Sequence, residues 1–594
     1  SRLARSRAKP SWYQRGRVVS VMGGRLARLD RKVKARPVRM PALRGWWVGI
    51  AACVLAAPAA ATGQAPPDGD WLTLETPNFD VTFLAGREAL GRRAAELAEE
   101  AWARLTQAFP EEERDRVELL VLDEIDISNG FAIVRPPRRV VVYARPPVDG
   151  FALTNFDEWL ELVITHELAH VVHLDTTSEV GRFLRSIFGR VPGGWPFFPT
   201  TAAPDWTVEG LATWAESRFA RAGRARGTFF EMMLRTAALE DAFEPIDRTS
   251  GKSPQWPAGG RDYIYGGLFF AHLADTYGED TILDWIQATA GQWVPYRPNA
   301  AASESFGIPF SEEWARWRSS WEDHAREVVA HLDSAGGVTH PDRLTQGGRQ
   351  AVRPRSSPDG TVVFTRSDGR SDPQLRRWDP ADASSSIVHR TNGLADVAPS
   401  PDGSLLVAQG EFVDNFRIFS DLWWLRPDGR EVRLTHGARL DQPDLSPDGD
   451  WGVAVRFAEG GSTLVRVDPA DGEVAPFPAL PAGAVWAFPR VSPDGRWIAA
   501  TRWNHPGRAD VVVLDAVDGS LALTLTEDLA LDLAPDWSPD GSILVWGSDR
   551  TGIPQIVGAS VDPAAGVGGP VYSLTRVATG VAFPAFGADG RWLY

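Results

Sequence analysis

His166 and His170 stand four residues apart in the run His166-Glu167-Leu168-Ala169-His170. On a helix that spacing puts two imidazoles on one face, one turn apart. Such a pair suits a zinc ion, and a glutamate next to the first histidine is placed to take a proton from an attacking water rather than to bind the metal. The chemistry expected of these residues is hydrolysis of a peptide bond with Glu167 as general base. A structural helix carrying satisfied histidines is the plainer reading, but with 10 His in 594 residues an accidental HExxH has a probability on the order of 1%. A catalytic zinc needs a third protein ligand. A continuation with Gly three and His six residues past His170 would supply it nearby, but those positions hold His173 and Thr176. His173 therefore reads as a supporting or surface residue, and Asp175 as a cap or a solvated carboxylate.

The elements that must hold these residues are legible around them. Residues 158–174 contain no Gly or Pro and repeat apolar residues at three and four, which predicts a mostly buried helix with HELAH near its middle. Upstream, residues 79–83, 117–122 and 140–143 read as strands and 87–109 as a helix, a small α/β part over 71–150. Downstream, 207–220, 229–242, 263–277 and 311–332 carry helical spacing, so 151–336 reads as helical. The expected fold class is multidomain, with an α+β metallopeptidase domain over 71–336 followed by an all-β region.

The run Trp206-Thr207-Val208-Glu209-Gly210-Leu211-Ala212 resembles the WxxEGxA helix of the gluzincin metallopeptidases, the clan that includes thermolysin and aminopeptidase N. The resemblance implies that Glu209 is the third zinc ligand and that Glu216 is a carboxylate supporting a ligand histidine. Asp262-Tyr263-Ile264-Tyr265-Gly266-Gly267 resembles the tyrosine-bearing segment of aminopeptidase-like enzymes. It implies that Tyr263 steadies the oxyanion, with Tyr265, standing where a Lys is expected, as the rival. Gluzincins pair the substrate backbone with an edge strand beside the active-site helix, a part given to residues 140–143. Asn129-Gly130-Phe131-Ala132 sits where aminopeptidases grip a free amine but lacks the acidic residue, which leaves general peptide hydrolysis. The 38 residues between His170 and Glu209 exceed the aminopeptidase connection, and their Pro- and Gly-rich part, 191–204, is expected to form a lid or wall of the cleft.

Past residue 337 the sequence repeats. Ser-Pro-Asp-Gly occurs with glycines at 360, 403, 449, 495 and 541, and a degenerate copy ends at Gly590; the steps are 43, 46, 46, 46 and 49 residues. Each Asp-Gly turn precedes an apolar strand, and a period in the forties with about four strands marks the blades of a β-propeller. The residues resemble the blades of the TolB-type propeller over about 340–594, and the last copy, one strand into a blade, reads as truncated. The region 337–594 is expected to filter access to the peptidase or to hold an envelope protein partner. A rival reading makes the whole chain an envelope scaffold that binds peptides through the propeller, its peptidase-like domain having little activity. Propellers also accompany prolyl oligopeptidase-type serine peptidases, but the G-x-S-x-G elbow that those need is absent from this sequence.

Charge is distributed unevenly. Residues 1–44 hold 14 Lys+Arg and one acidic residue, leaving 48 basic against 76 acidic residues, a net −28, for the rest. So acidic a body repels phosphate backbones, which argues against nucleic acid as a partner. Met40, Arg44, the apolar run 46–60 and Ala59-Ala60-Ala61 describe a secretory signal peptide over 40–61, after a basic leader (1–39) and before a linker (62–70). Export to the periplasm or beyond is expected, with no membrane span in the mature chain. Cys53, the single cysteine, lies in a run that also resembles a lipoprotein box, the alternative to free export.

Overall fold

The computed structural model describes residues 65–66, 69–109, 115–148, 153–191, 193–251, 256–295, 297–346, 349–504 and 507–594. The segments read as basic leader (1–39) and signal peptide (40–61, with Cys53), and the first residues of the linker, lie outside them. Every element below lies in the compact unit 61–594.

Its first part is a five-stranded sheet built from β1 (Trp71–Glu75), β2 (Phe79–Leu84), β3 (Val117–Leu122), β4 (Gly130–Ile133) and β5 (Arg139–Tyr143), in the order β1-β2-β3-β5-β4. Phe79, Val81 and Phe83 alternate inward, and α1 (Glu88–Ala108) covers them with Leu90, Ala94, Leu97, Ala101 and Leu105. The parallel β2-β3 pair uses α1 as its crossover, whereas the parallel β3-β5 pair is joined through β4. Residues 140–143 do not form the edge. β5 lies between β3 and β4, because residues 130–133 double back as a hairpin with Gly130 opposite Val142 and Ile133 opposite Arg139. The edge strand on that side of the sheet is β4, whose mixed composition hides it from period-2 reading.

Nine helices are described: α1, α2 (Trp159–Asp175), α3 (Glu179–Phe188), α4 (Asp205–Phe219), α5 (Thr228–Leu239), α6 (Arg261–Tyr277), α7 (Glu279–Gly291), α8 (Pro298–Ser305) and α9 (Phe310–Ser334). Among the described residues no helix is long and apolar enough to cross a membrane. α2 is buried almost all round, the property of a core helix. α4 and α6 touch backbone to backbone. A Cβ on Gly210 would come 2.4 Å from the Gly266 carbonyl carbon, and one on Gly266 would come 2.2 Å from the Trp206 oxygen. These two glycines bring Glu209 of α4 and Tyr263 of α6 to the same cleft, a requirement of close approach that only a residue without Cβ meets.

The second part is a five-bladed β-propeller. Its sheets, each with four strands antiparallel in sequence order, span 350–390, 396–433, 440–476, 485–524 and 532–573; the fifth adds a short extra strand. Ser-Pro-Asp-Gly makes the turn between the first two strands of each blade, its glycine at φ between 71° and 84°. In the third blade the Ser446 hydroxyl donates to Asp448 at 2.6 Å and accepts from the Trp451 amide at 3.1 Å. Innermost strands bulge at Arg353, Gln442, Phe488 and Ala534, all with positive φ. Phe583, beyond the fifth sheet, repeats that conformation, and the Phe586 amide donates to Asp536 at 2.8 Å.

The two parts share one apolar core, in which Val148 and Phe156 pack with Phe457, Trp486, Phe488 and Trp503. Phe156 stacks on Trp503 with ring centroids 6.0 Å apart. Beside it Arg439 spans Asp123 (3.2 Å) and Asp126 (2.7 Å), and Arg145 meets Asp441 at 3.1 Å. Removing one partner of such a buried cluster costs about 3–5 kcal/mol, because the remaining charges stay desolvated. Arg439→Met is expected to lower the unfolding free energy by about that amount, read as a shift of the denaturant midpoint common to far-ultraviolet and tryptophan signals. Separate midpoints for the two parts would contradict the shared core.

Candidate metal centre

The helical repeat of α2 brings the Nε2 atoms of His166 and His170 to 3.2 Å. Glu209, one turn into α4, places Oε2 3.4 Å from His166 Nε2 and 3.2 Å from His170 Nε2. These are the three residues among those described that group as a metal site. Donor atoms around a tetrahedral zinc with bonds of 2.0–2.2 Å lie about 3.3 Å apart, so the triangle fits that ion. Electrostatics agree. Burial and the Arg224 charge disfavour a protonated His166, yet Glu209 and Glu216 outweigh them and lift it to about 9. Burial likewise raises Glu209, but His170 and His166 hold its carboxyl far below the usual range. The triangle therefore calls for positive charge at its centre, which a divalent cation supplies while leaving both imidazoles neutral.

Behind the triangle, Glu216 Oε2 lies 2.8 Å from His166 Nδ1, the contact that fixes a ligand imidazole's tautomer and ring plane. Arg224, which sequence reasoning missed, holds Glu216 in turn. Its Nε donates to Oε1 and its NH2 to Oε2, both at 2.7 Å, and its own amide donates to Oε1 at 3.1 Å. Burial raises Glu216, and Arg224 reverses that and brings it to about 2. Nothing in Phe219-Ala220-Arg221-Ala222-Gly223-Arg224 separates this arginine from its neighbours except Gly223, where a Cβ would fall 2.3 Å from Ser217 Cα. That glycine lets the chain fold back beneath α4.

Glu167 is buried beside the two histidines and faces the cleft, and burial raises its carboxyl against the pull of His166 and His170. Edge strand β4 runs past it: a Cβ on Gly130 would lie 2.8 Å from Glu167 Oε1 and 2.7 Å from Val163 Cγ2. The cleft encloses about 540 Å³, with apolar walls that include Phe131, Val163, Val208, Phe230 and Ile264. No propeller residue lines it among those described, so the propeller reaches the cleft only through the loops it packs against.

The two candidate tyrosines part company. Tyr263 lines the cleft, its ring 6.1 Å from that of His166 and 4.9 Å beneath the Arg224 guanidinium. Burial, then the Glu209 charge, pushes its hydroxyl upward, so it stays a neutral donor. Tyr265 points into the core instead, 1% exposed, stacked on Trp314 and accepting the Glu244 amide at 3.2 Å. Adjacent-but-one residues on a helix diverge by about 200°, which is why only one faces the metal triangle. Tyr263→Phe is expected to lower kcat about 10²–10³-fold if it supplies an oxyanion donor, whereas Tyr265→Phe should leave kcat unchanged. Equal kcat values for the two variants would remove Tyr263 from that role.

Three expectations are corrected. Of the two readings of His173, supporting or surface, the second falls: it is 2% exposed, packs against Trp285 and is pushed down to about 3 by burial and His170, so it stays neutral. Asp175 is not solvated but buried among Arg138, Arg185 and Arg190, which offset its desolvation. None of the described residues of 191–204 lines the cleft, so they supply no wall or lid there. Phe198 and Thr200 anchor the segment away from the cleft, Thr200 donating to the Leu174 carbonyl at 3.0 Å.

No protein-family model matches the chain, and no curated protein matches it. Similar solved structures include TolB from Acinetobacter baumannii, 19% identical over 41% of this chain and 59% of that one, with a TM-score of 0.34. The putative TolB from Agrobacterium tumefaciens is 20% identical over 41% of this chain and 89% of that one, TM-score 0.34. An oligogalacturonate lyase in complex with manganese is 15% identical over 42% and 74%, TM-score 0.32. The chain thus spans 59% of the length of the first of these.

Proposed function

We propose that the chain is an exported zinc peptidase of gluzincin type whose catalytic part is rigidly carried on its propeller. The convergence of His166, His170 and Glu209 at 3.2–3.4 Å, with Glu167 beside them in an apolar cleft, is the observation that carries the reading. His166, His170 and Glu209 would hold the zinc, which when bound would supply a Lewis acid for the scissile carbonyl and lower the pKa of a water. Glu216, itself clamped by Arg224, orients His166 so that its Nε2 stays aimed at the centre. Glu167 takes the proton of the attacking water and delivers it to the leaving amine, a transfer favoured by a buried carboxylate with raised pKa. The Tyr263 hydroxyl donates to the developing oxyanion. The free side of β4 offers its backbone to an extended peptide, and the walls around Phe131, Val163 and Ile264 take apolar side chains.

The test is cleavage of a peptide library by purified protein before and after a chelator, with zinc measured in each. The expected result is zinc near one per chain, loss of cleavage on chelation and recovery on adding zinc back. Zinc-free protein, or cleavage indifferent to chelation, would overturn the reading.

A further inference from the structure

Although no propeller residue lines the cleft among those described, three of its walls rest on different blades. The first wall is the approach to β4. Asp123 accepts the Glu459 and Gly460 amides of the third blade at 3.0 and 3.2 Å. Ile125 bridges to Ile418 of the second blade, and the Asp126 amide donates to the Ile418 carbonyl at 2.7 Å. The Asp126 carboxylate accepts the Ser420 amide at 3.0 Å and the Arg439 guanidinium at 2.7 Å. Ser128 accepts from Arg145 at 3.2 Å, and Arg145 in turn donates to Asp441 of the third blade at 3.1 Å. From Ser128 to Ala132 the chain lines the cleft.

A second wall includes Phe230 on α5. Thr228, at the start of that helix, donates to Asp549 of the fifth blade at 3.0 Å, and Arg235 donates to the Ala578 and Thr579 carbonyls at 2.7 and 2.9 Å. A third includes Leu153, just before Phe156, which stacks on Trp503 of the fourth blade.

These attachments bear hardest on β4. That strand pairs with β5 alone, over residues 130–133, and a short edge strand with one neighbour is held weakly by its own ladder. Its placement is nevertheless exacting, since at Gly130 even a Cβ would lie 2.8 Å from Glu167 Oε1. Bonds from the blades to Asp123, Ile125 and Asp126 make the propeller the support of its leading end.

We propose that the propeller is the positioning frame of the cleft: its second and third blades fix β4 where an extended peptide pairs with it, and its fifth blade fixes the wall at Phe230. The peptide pairing rests on the peptidase reading, whereas the fixing of β4 does not. Ile418 and Thr228 are then positioning residues that line no part of the cleft. They act on how tightly a long peptide is held and leave the bond-breaking step alone.

The experiment compares Ile418→Ala and Thr228→Val with wild type in the full chain, by amide hydrogen exchange and by kinetics on a long peptide. Ile418 is half-buried and packs in the cluster of Ile125 and Phe131. Thr228→Val keeps the shape of the side chain and loses its donor. Ile418→Ala is expected to speed exchange over residues 123–133 about tenfold. It should also raise KM about tenfold, within the roughly hundredfold that a misplacement of about 1 Å can cost. Thr228→Val should raise KM about threefold, the scale of one lost hydrogen bond. Zinc content and kcat should hold, and Ile418→Val and Thr228→Ser should behave as wild type. Unchanged exchange over 123–133 in Ile418→Ala would overturn the proposal, whether or not the chain cleaves peptides. Faster exchange with an unchanged KM would overturn the role in holding substrate, and a fall in kcat and zinc at constant KM would show general destabilisation in its place. Wild type that cleaves no peptide would defeat the peptidase reading and with it the pairing of substrate, while the exchange would still decide the fixing of β4.

Discussion

Glu167→Gln is expected to keep its zinc and lose turnover. The substitution is nearly isosteric and leaves His166, His170 and Glu209 untouched, so the donor triangle with its 3.2–3.4 Å edges persists. What disappears is, among the described residues, the only carboxylate lining the cleft that is not itself a donor of that triangle. A neutral amide cannot accept the proton of an attacking water. A positioned general base contributes about 10²–10⁴-fold, so kcat should fall by at least that factor, with KM little changed because no substrate-binding group is lost. Stability should hold or rise, since the variant no longer buries an ionisable group whose carboxyl is already raised by desolvation. Single-turnover kinetics on a peptide found in the library screen, with metal analysis of the same preparation, checks both halves. Cleavage equal to wild type would exclude Glu167 as the base, and zinc lost from the variant would mean that it holds the metal instead.

Glu209→Ala is expected to do the reverse and strip the site. Two histidines on one helix remain, and a two-ligand site gives up most of the affinity of a three-ligand one. Loss of a supporting carboxylate alone costs about 10–100-fold in affinity, so loss of a ligand should exceed a hundredfold. Glu216→Gln belongs to the first class: it leaves three ligands but removes the negative charge beside His166 Nδ1 and leaves one acceptor oxygen for His166 and the buried Arg224 to share where there were two. The order of zinc affinity should run wild type, Glu216→Gln, Glu209→Ala, measured by competition with a chromophoric chelator. An unchanged affinity in Glu209→Ala would dismiss the triangle as a metal site.

Local pattern carried far in this chain. The 3.6-residue repeat of 158–174 anticipated a buried helix with two imidazoles one turn apart, and the Ser-Pro-Asp-Gly period anticipated the blades. Both signals depend on nearest neighbours along the chain: helix periodicity acts over four residues, and an Asp-Gly turn needs only its own positive φ. Helices α3, α7 and α8 went unread for the complementary reason. α3 and α8 are short, at 10 and 8 residues, and α3 turns its apolar face to solvent, so no core pattern marks it as an element of this fold.

The sequence alone determined the chemical types at the centre, two imidazoles and a carboxylate at fixed spacing, together with the blade repeat. The tertiary structure decided what surrounds them. Contact between Gly210 and Gly266 aims Tyr263 at the cleft and Tyr265 into the core, the β4 hairpin displaces residues 140–143 from the sheet edge, and Gly223 brings Arg224 under Glu216. Each depends on the approach of segments far apart in the chain, where the controlling quantity is the space left by an absent Cβ. Spacing along a sequence carries no measure of that distance.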